Sequence, residues 1–465
     1  MSDHDQSQDS RRSFLKTVTA GVVATPLGGS VFELGHAAAA EADAPRPRGP
    51  NDRVRIATVG MGIIGFIDTA TALKVPGVEL VAVADLYEGR RTHAKEVHGD
   101  HVAAYVDYRD ILARNDVDAV LVCVPDHWHR TIAVDAMKAG KAVYCEKPMV
   151  HTVAEGPDVI AAQAATKAVF QVGSQYASSL LYLKVRDLIA AGAIGQVNSI
   201  ESRYNRNSDT GAWQYTLPTD ASPQTVDWDR FLGNAPKRPF DATRFFRWRN
   251  YSDYGTAVAG DLFVHLLTGI HRSTGAIGPN RVSAFGGQRY WKDGRDVYDV
   301  IFGLLDYPGF TLALQCNFED GGGGAELFRF VGSDGAINVS FTELTLNRTG
   351  IVEASRDEIL KGYNSVSTFS KAQQAELART ITTPTTGRHR SSTKGDFPTK
   401  YVVPRGYDER YDHFVNFFNS VRNATPVYED AVFGYRAAAP ALLCNESYRQ
   451  GKVMRWDPEG MKVVG

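Results

Sequence analysis

A chain of 465 residues exceeds what one hydrophobic core serves, about 250 to 300 residues, so two domains are expected. Lys plus Arg number 51 against 53 for Asp plus Glu, a net charge of -2; this balance gives no electrostatic reason for nucleic acid or an anionic membrane as partner and suits a neutral or small polar substrate better. Beyond the N-terminal segment no apolar run approaches the roughly 18 residues of a membrane span, so a soluble mature protein is expected.

The chain opens with Ser10-Arg11-Arg12-Ser13-Phe14-Leu15-Lys16, a mildly apolar stretch, and the run Ala37 to Ala40. Paired arginines before Phe-Leu-Lys, then small residues, read as a twin-arginine export signal over 1–40, with periplasmic delivery of the mature protein. Residues 41–52, with three prolines between Glu41 and Pro50, form a linker. From Val54 the pattern alternates strands with amphipathic helices: VRIATV, ELVAVA (Glu79 to Ala84), DAVLVCV (Asp118 to Val124), AVYC (Ala142 to Cys145) and AVFQVG (Ala168 to Gly173). Such alternation predicts parallel βαβ units, a Rossmann-type domain over 53–173. After Ser174 a helix (Leu180 to Ala191) precedes alternating runs at 199–204, 281–291, 298–307, 310–319 and 326–333, with the Gly321 to Gly324 tract as one turn. They predict a large, open-faced, mainly antiparallel sheet in a second domain over 174–465. Residues 355–400 are polar apart from a short helix at Ser370 to Arg379, a surface excursion without an assigned role, and two C-terminal helices are expected to pack back on the core.

Four cysteines, Cys123, Cys145, Cys316 and Cys444, show no CxxC spacing, which argues against a zinc or redox site. They read as small buried hydrophobes, although Cys123 and Cys145 fall on neighbouring strands and pairing stays open.

Directly after the first strand stands Gly60-Met61-Gly62-Ile63-Ile64-Gly65. In a strand-to-helix turn the first glycine makes the bend, the second lets backbone N–H groups approach a pyrophosphate, and the third permits close packing. Asp85 follows Gly65 by 20 positions at the end of the second strand, where a carboxylate accepts from adenosine ribose hydroxyls. That favours NAD over NADP, whose 2′-phosphate it repels, with Arg90 and Arg91 as partial relief for NADP.

Further on, CVPDHWHRTIAVDAMKAGKAVYCEKPM carries Pro125, His129 and Glu146-Lys147-Pro148. With the glycine loop, these residues resemble the glucose-fructose oxidoreductase and inositol dehydrogenase group (Gfo/Idh/MocA), in which Glu-Lys-Pro closes the fifth strand of the nucleotide domain. The resemblance runs from about Arg53 to the terminal MRWDPEG. It implies a cofactor site of Gly60, Gly62, Ile63, Ile64, Gly65, Asp85, Pro125, His129, Glu146 and Lys147. Lys147 lies at the carboxyl end of a parallel strand, the ligand-binding edge of such sheets, where its ammonium can donate to a sugar hydroxyl and favour the alkoxide. Pro148 holds Lys147 extended and admits a cis bond, and Glu146 and Lys147 should point opposite ways.

In AGDLFVHLLTGIHRSTG, Asp261 and His265 stand at i and i+4 and share a helix face. By resemblance His265 exchanges the proton of the hydroxyl being oxidised, and Asp261 orients it or binds a substrate hydroxyl. Many relatives have a second Asp where this chain has Thr268; His271 falls on another face, and the pair lacks a third metal ligand. His127 and Trp128 flank His129 near the nicotinamide end. Tyr204, Trp213, Trp248 and Tyr254 are candidate sugar-stacking residues, and Arg244, Arg247 and Arg249 could meet a carboxylate.

Three functions compete. The first is an oxidoreductase moving a hydride between a small carbohydrate or cyclitol and a nicotinamide. Because no free NAD pool regenerates cofactor outside the cytoplasm, and the twin-arginine machinery carries folded proteins, a tightly retained nucleotide is expected. The second is a glycoside hydrolase or lyase acting by transient oxidation and elimination with no net redox change, although the Tyr-Pro-Thr-His run associated with that subgroup is absent. The third is a non-catalytic nucleotide-binding sensor, against which Lys147, Asp261 and His265 speak together. The resemblance also implies a homodimer or homotetramer through the open sheet face.

Overall fold

The computed structural model describes residues 22–24, 30–34, 53–322, 327–348, 356–381 and 398–465. The twin-arginine motif, Ala37 to Ala40 and the linker up to residue 52 lie outside the described residues. Within the segment expected to be an export signal, Val22–Ala24 (β1) and Ser30–Glu33 (β2) are strands. Leu34 N donates to Val402 O at 2.8 Å and the Phe32 ring stacks on Tyr401 at 5.3 Å. Cleavage near Ala40 would therefore remove both β1 and β2, the second of which is seated on Thr399–Val402.

Val54–Val59 (β3), Val78–Ala84 (β4), Ala103–Tyr105 (β5), Ala119–Val122 (β6), Ala142–Glu146 (β7) and Phe170–Gly173 (β8) form one sheet in the order β5-β4-β3-β6-β7-β8. Every neighbouring pair is parallel. Helices such as Ile63–Ala72 and His129–Lys138 connect them, so both faces are covered and the strands read as nearly continuous Val and Ala runs. The order reverses between β3 and β6, and a ligand crevice opens there, beyond the carboxyl ends.

The second sheet takes Val197–Arg203 (β9), Arg281–Gly287 (β10), Val300–Asp306 (β11), Thr311–Asn317 (β12), Phe328–Gly332 (β13), Gly335–Val339 (β14), Glu343–Arg348 (β15), Thr399–Val402 (β16), Met454–Asp457 (β17) and Lys462–Val464 (β18). Its order among the described residues is β1-β2-β16-β15-β14-β13-β9-β12-β11-β10-β17-β18. Only β9 with β12 and β2 with β16 pair in parallel. Alternation orients it: along β11, Ile301 and Leu305 are buried while Phe302 and Leu304 are exposed, so one face packs on helices Val264–Thr274 and Ala431–Gln450 and the other is open.

The expected run 281–291 ends at Gly287, because buried Asp299 accepts backbone N–H bonds from Arg289, Tyr290 and Trp291 at 2.6, 2.9 and 2.7 Å and pulls the chain into a loop. The polar excursion contributes the strand β16 at its end; Gly323 and Gly324 of the glycine tract lie outside the described residues. Helix Glu409–Asn423 returns to the nucleotide domain, stacking Phe414 on Tyr144 at 4.4 Å. All four cysteines are buried and free.

Candidate active site

The glycine loop shows which of its faces is open. Gly60 has φ +91° and a Cβ there would lie 2.5 Å from Cys123 O; at Gly65 it would lie 2.0 Å from Gly60 O. These two glycines are needed by the protein itself. At Gly62 an added Cβ would meet nothing closer than the Arg90 guanidinium at 3.8 Å. Gly62 is the N-cap of Ile63–Ala72, with no side-chain cap and no acidic residue in the first turn, so that helix end faces the cavity with its N–H groups free for an anion. Asp85 accepts from Met61 N at 2.7 Å and Tyr87 N at 2.9 Å, with Arg90 Nη1 3.7 Å from Oδ2. The backbone thus aims the carboxylate, and each oxygen keeps a lone pair for a ribose hydroxyl. A glycine cradle with one open face and an acid beyond it fit a dinucleotide. The same cavity, about 1650 Å³ of empty space partly open to solvent, is lined by Gly60, Gly62, Asp85 and Pro125 at one end and Lys147, Asp261 and His265 at the other. Ile63 and Ile64 also line it.

Glu146 and Lys147 diverge, as extended neighbours must, and the Lys147–Pro148 bond is cis. Lys147 Nζ donates to Asp261 Oδ1 at 2.8 Å and to Asp261 O at 3.0 Å. Arg249 Nε reaches the same Oδ1 at 3.2 Å. Burial works against the Asp261 charge, but Lys147, Arg249 and Arg206 outweigh it and hold the carboxyl well below its ordinary range. Asp261 sits in a π-helical turn, Ala259–Phe263, ahead of the α-helix bearing His265. Its Oδ1 is committed to Lys147 and Arg249, so the carboxylate aims the lysine in addition to the two roles expected of it, orienting His265 or binding a substrate hydroxyl.

His265 packs between Tyr204, stacked at 6.2 Å and 17°, and Tyr176, at 5.3 Å. Burial first, then the Lys147 charge, push its imidazole well below the ordinary value despite Asp261. It is therefore a neutral base at physiological pH. Nδ1 is buried with no partner.

Glu146 turns toward Asp68 and Arg410, whose Nε lies 3.3 Å from Asp68 Oδ1. Burial raises both carboxyls, and the neighbouring Glu146 charge raises Asp68 further. His129 bridges two carbonyls, Pro148 O at 2.6 Å and Val124 O at 2.8 Å, and so ties the Lys147 turn to the end of β6. It also lines the cavity beside Pro125.

The opposite wall is a segment of the second domain, residues 205–255, laid across the nucleotide domain. Glu88 N donates to Thr225 O at 2.9 Å, Asp227 N to Leu86 O at 3.0 Å, and Trp128 Nε1 to Phe231 O at 2.9 Å. His127 also faces Phe231 O, and burial drops its pKa to about 4. Phe231, Phe245, Phe246 and Trp248 of this strap line the cavity. Of the expected stacking residues, Tyr204, Trp213 and Trp248 line it too. Tyr254 does not: it is fully buried, packed on Phe231 at 4.9 Å, and belongs to the strap's aromatic core. Among the three arginines only Arg249 reaches the cavity; Arg244 pairs with Asp253 at 3.5 Å and Arg247 donates to Tyr215 O at 2.7 Å. Arg206, Gln175 and Arg410 line it without having been anticipated.

Comparison with known proteins agrees with this geometry. Residues 54–174 match the pattern of the oxidoreductase family with NAD-binding Rossmann fold, GFO_IDH_MocA, and residues 182–338 match a GFO/IDH/MocA C-terminal domain. The chain is 32% identical over 170 residues to inositol 2-dehydrogenase of Salmonella paratyphi B, covering 36% of this chain and 48% of that protein. It is 28% identical over 219 residues to a glycosyl hydrolase family 109 protein of Shewanella baltica, covering 42% and 45%. The chain thus spans about half the length of the curated relatives it matches. The aldose-aldose oxidoreductase of Caulobacter crescentus, solved with glycerol, superposes with a TM-score of 0.60 at 17% identity, over 87% of this chain and 99% of that one.

Proposed function

Because the chain belongs to the Gfo/Idh/MocA family of oxidoreductases, we propose that it transfers a hydride between a hydroxyl-bearing carbon of a sugar, glycoside or cyclitol and a retained NAD. The observation that carries this is the meeting, in one cavity, of the open glycine loop, the aimed ammonium of Lys147 and the neutral imidazole of His265. Bound nicotinamide would supply the hydride acceptor. His265 accepts the hydroxyl proton. Lys147, with two of its three N–H groups held by Asp261, donates the third to the same oxygen and stabilises negative charge as it develops. The strap and the tyrosines around His265 exclude water.

The strap also supports retention: Thr225, Asp227 and Phe231 bond it to the nucleotide domain along one wall of the cavity. Asp85 supports NAD over NADP. Retention in turn suits export through the twin-arginine machinery to the periplasm, the cofactor being reduced by one sugar and reoxidised by another. Exposed Phe285, Phe302 and Leu304, adjacent across β10 and β11, support a homodimer or homotetramer through the open sheet face. The test is to denature purified protein, identify the released nucleotide, and titrate sugars against the bound nicotinamide's absorbance. Protein free of nucleotide that binds none when supplied would overturn the proposal.

The family 109 match keeps one second reading, elimination at a glycoside with the hydride returned. Aryl glycosides releasing aglycone without net change in nicotinamide absorbance would favour it.

A further inference from the structure

The substrate end of the cavity carries more positive charge than its own carboxylate answers. Lys147, Arg249 and Arg206 line it, and Asp261 faces all three. Asp261 is taken by the first two, at 2.8 and 3.2 Å. The other acids of the cavity are engaged elsewhere: Asp85 with the Met61 and Tyr87 N–H groups, Asp126 with Thr256, and Glu146 with Asp68 and Arg410.

Arg206 has no such partner. Its backbone is pinned, N donating to Asn317 O at 2.8 Å and O accepting from Asp320 N at 3.1 Å. Its guanidinium lies over the rings of Tyr204 at 5.5 Å and Phe318 at 5.7 Å, and Nη1 donates to Gly211 O at 3.0 Å. No carboxylate among the described residues lies within ion-pair distance of it, although Asp261 feels its charge. Among the described residues the other N–H groups of this half-buried fork have no partner, and Tyr204, the ring it covers, is the one stacked on His265. A planar guanidinium held by aromatic rings, one ring away from the base, is built to receive a planar anion.

We propose that the substrate is an acidic sugar of the hexuronate class, whose carboxylate pairs with Arg206 while a ring hydroxyl meets Lys147 and His265. The hydride chemistry rests on the oxidoreductase reading above; the charge preference does not, and binding tests it separately. Calorimetry on the holoprotein would compare glucuronate and galacturonate with glucose, galactose and their 6-phosphates, alongside absorbance of the bound nicotinamide. The uronates should bind at least about tenfold more tightly than the neutral parents, an advantage that shrinks with salt. Arg206→Gln should abolish the advantage and leave affinity for neutral sugars within about twofold, and Arg206→Lys should restore part of it. Unchanged nucleotide content would verify that the variants fold. Neutral sugars binding as well as uronates, equal loss for both in Arg206→Gln, or a preference for 6-phosphates would each overturn the proposal. Selective uronate binding without absorbance change would sustain it and defeat the redox reading alone.

Discussion

Replacing Asp261 by Asn keeps the side chain's shape and removes its charge where two cations converge. Lys147 Nζ lies 2.8 Å from Asp261 Oδ1, with side chains 10% and 7% exposed, and Arg249 Nε lies 3.2 Å away. Water screens the group little, so neutralising the anion strands two positive charges in the interior. Breaking a buried pair from one side costs about 3–5 kcal/mol, and Asp261→Asn should lose that much in urea unfolding at neutral pH. In the double variant with Lys147→Met one stranded charge is gone, so the two changes should couple by about 1–3 kcal/mol instead of adding. Single-turnover reduction of the bound nucleotide should fall by about 10²-fold or more, because Lys147 loses the group that aims it. Nucleotide content should hold, since Asp261 touches no part of the glycine loop. The same pair sets a pH signature. A carboxyl depressed in the folded state stabilises above its unfolded value of about 3.9, and the gain is lost only as pH falls through the lower folded value. A loss below about 1 kcal/mol, or strictly additive single variants, would refute the buried triad.

Gly62→Ala should leave thermal stability nearly unchanged and strip the nucleotide, since the new methyl points only toward Arg90; Gly65→Ala, 2.0 Å from Gly60 O, should lower both melting temperature and nucleotide content. Because burial depresses His265, kcat/KM should stay level as pH falls through about 6.5, and an acidic limb centred there would contradict a neutral buried base. Buried His271, at about 3, and His413, at about 4, should each withdraw about 1.4 kcal/mol of stability per pH unit below about 6.5, because the unfolded chain takes up protons that the folded one refuses; denaturant unfolding of His271→Gln and of the unaltered chain at two pH values would show the difference. Phe302→Lys should dissociate the oligomer in light scattering at unchanged nucleotide content, and an undiminished assembly would remove the open sheet face as its interface.

Features written in a short stretch of chain were legible. The strand, glycine loop and helix from Val54 to Ala72, the acid at Asp85, and Glu146-Lys147-Pro148 depend on local spacing, and each contributes to the cavity lining, although Gly65 and Pro148 themselves do not. Asp261 and His265 were legible as a pair, yet their relation was not, because a π turn and the pull of Lys147 and Arg249 decide where the carboxylate points. Arg206 gave no local signal. Its meaning comes from the absence of a paired carboxylate among the described residues, and overall charge balance says nothing about that; the expectation of a neutral or small polar substrate was drawn from the whole chain, and the proposed acidic sugar keeps only its second half. Tyr254 looked like its aromatic neighbours in sequence, and only the strap's packing assigns it to a core. Short strands such as β14 to β18 depend on cross-strand partners distant in sequence, which periodicity alone does not reveal.

The central claim is that a dinucleotide resting on Gly60–Gly65 brings its reactive ring to Lys147 and His265. Its most direct test is stopped-flow absorbance of the purified, nucleotide-loaded protein mixed with a sugar it binds. The account predicts stoichiometric appearance of reduced nicotinamide in the unaltered chain and its loss in a Lys147→Ala, His265→Ala double variant that still holds nucleotide. Reduction at an undiminished rate in that variant would contradict it.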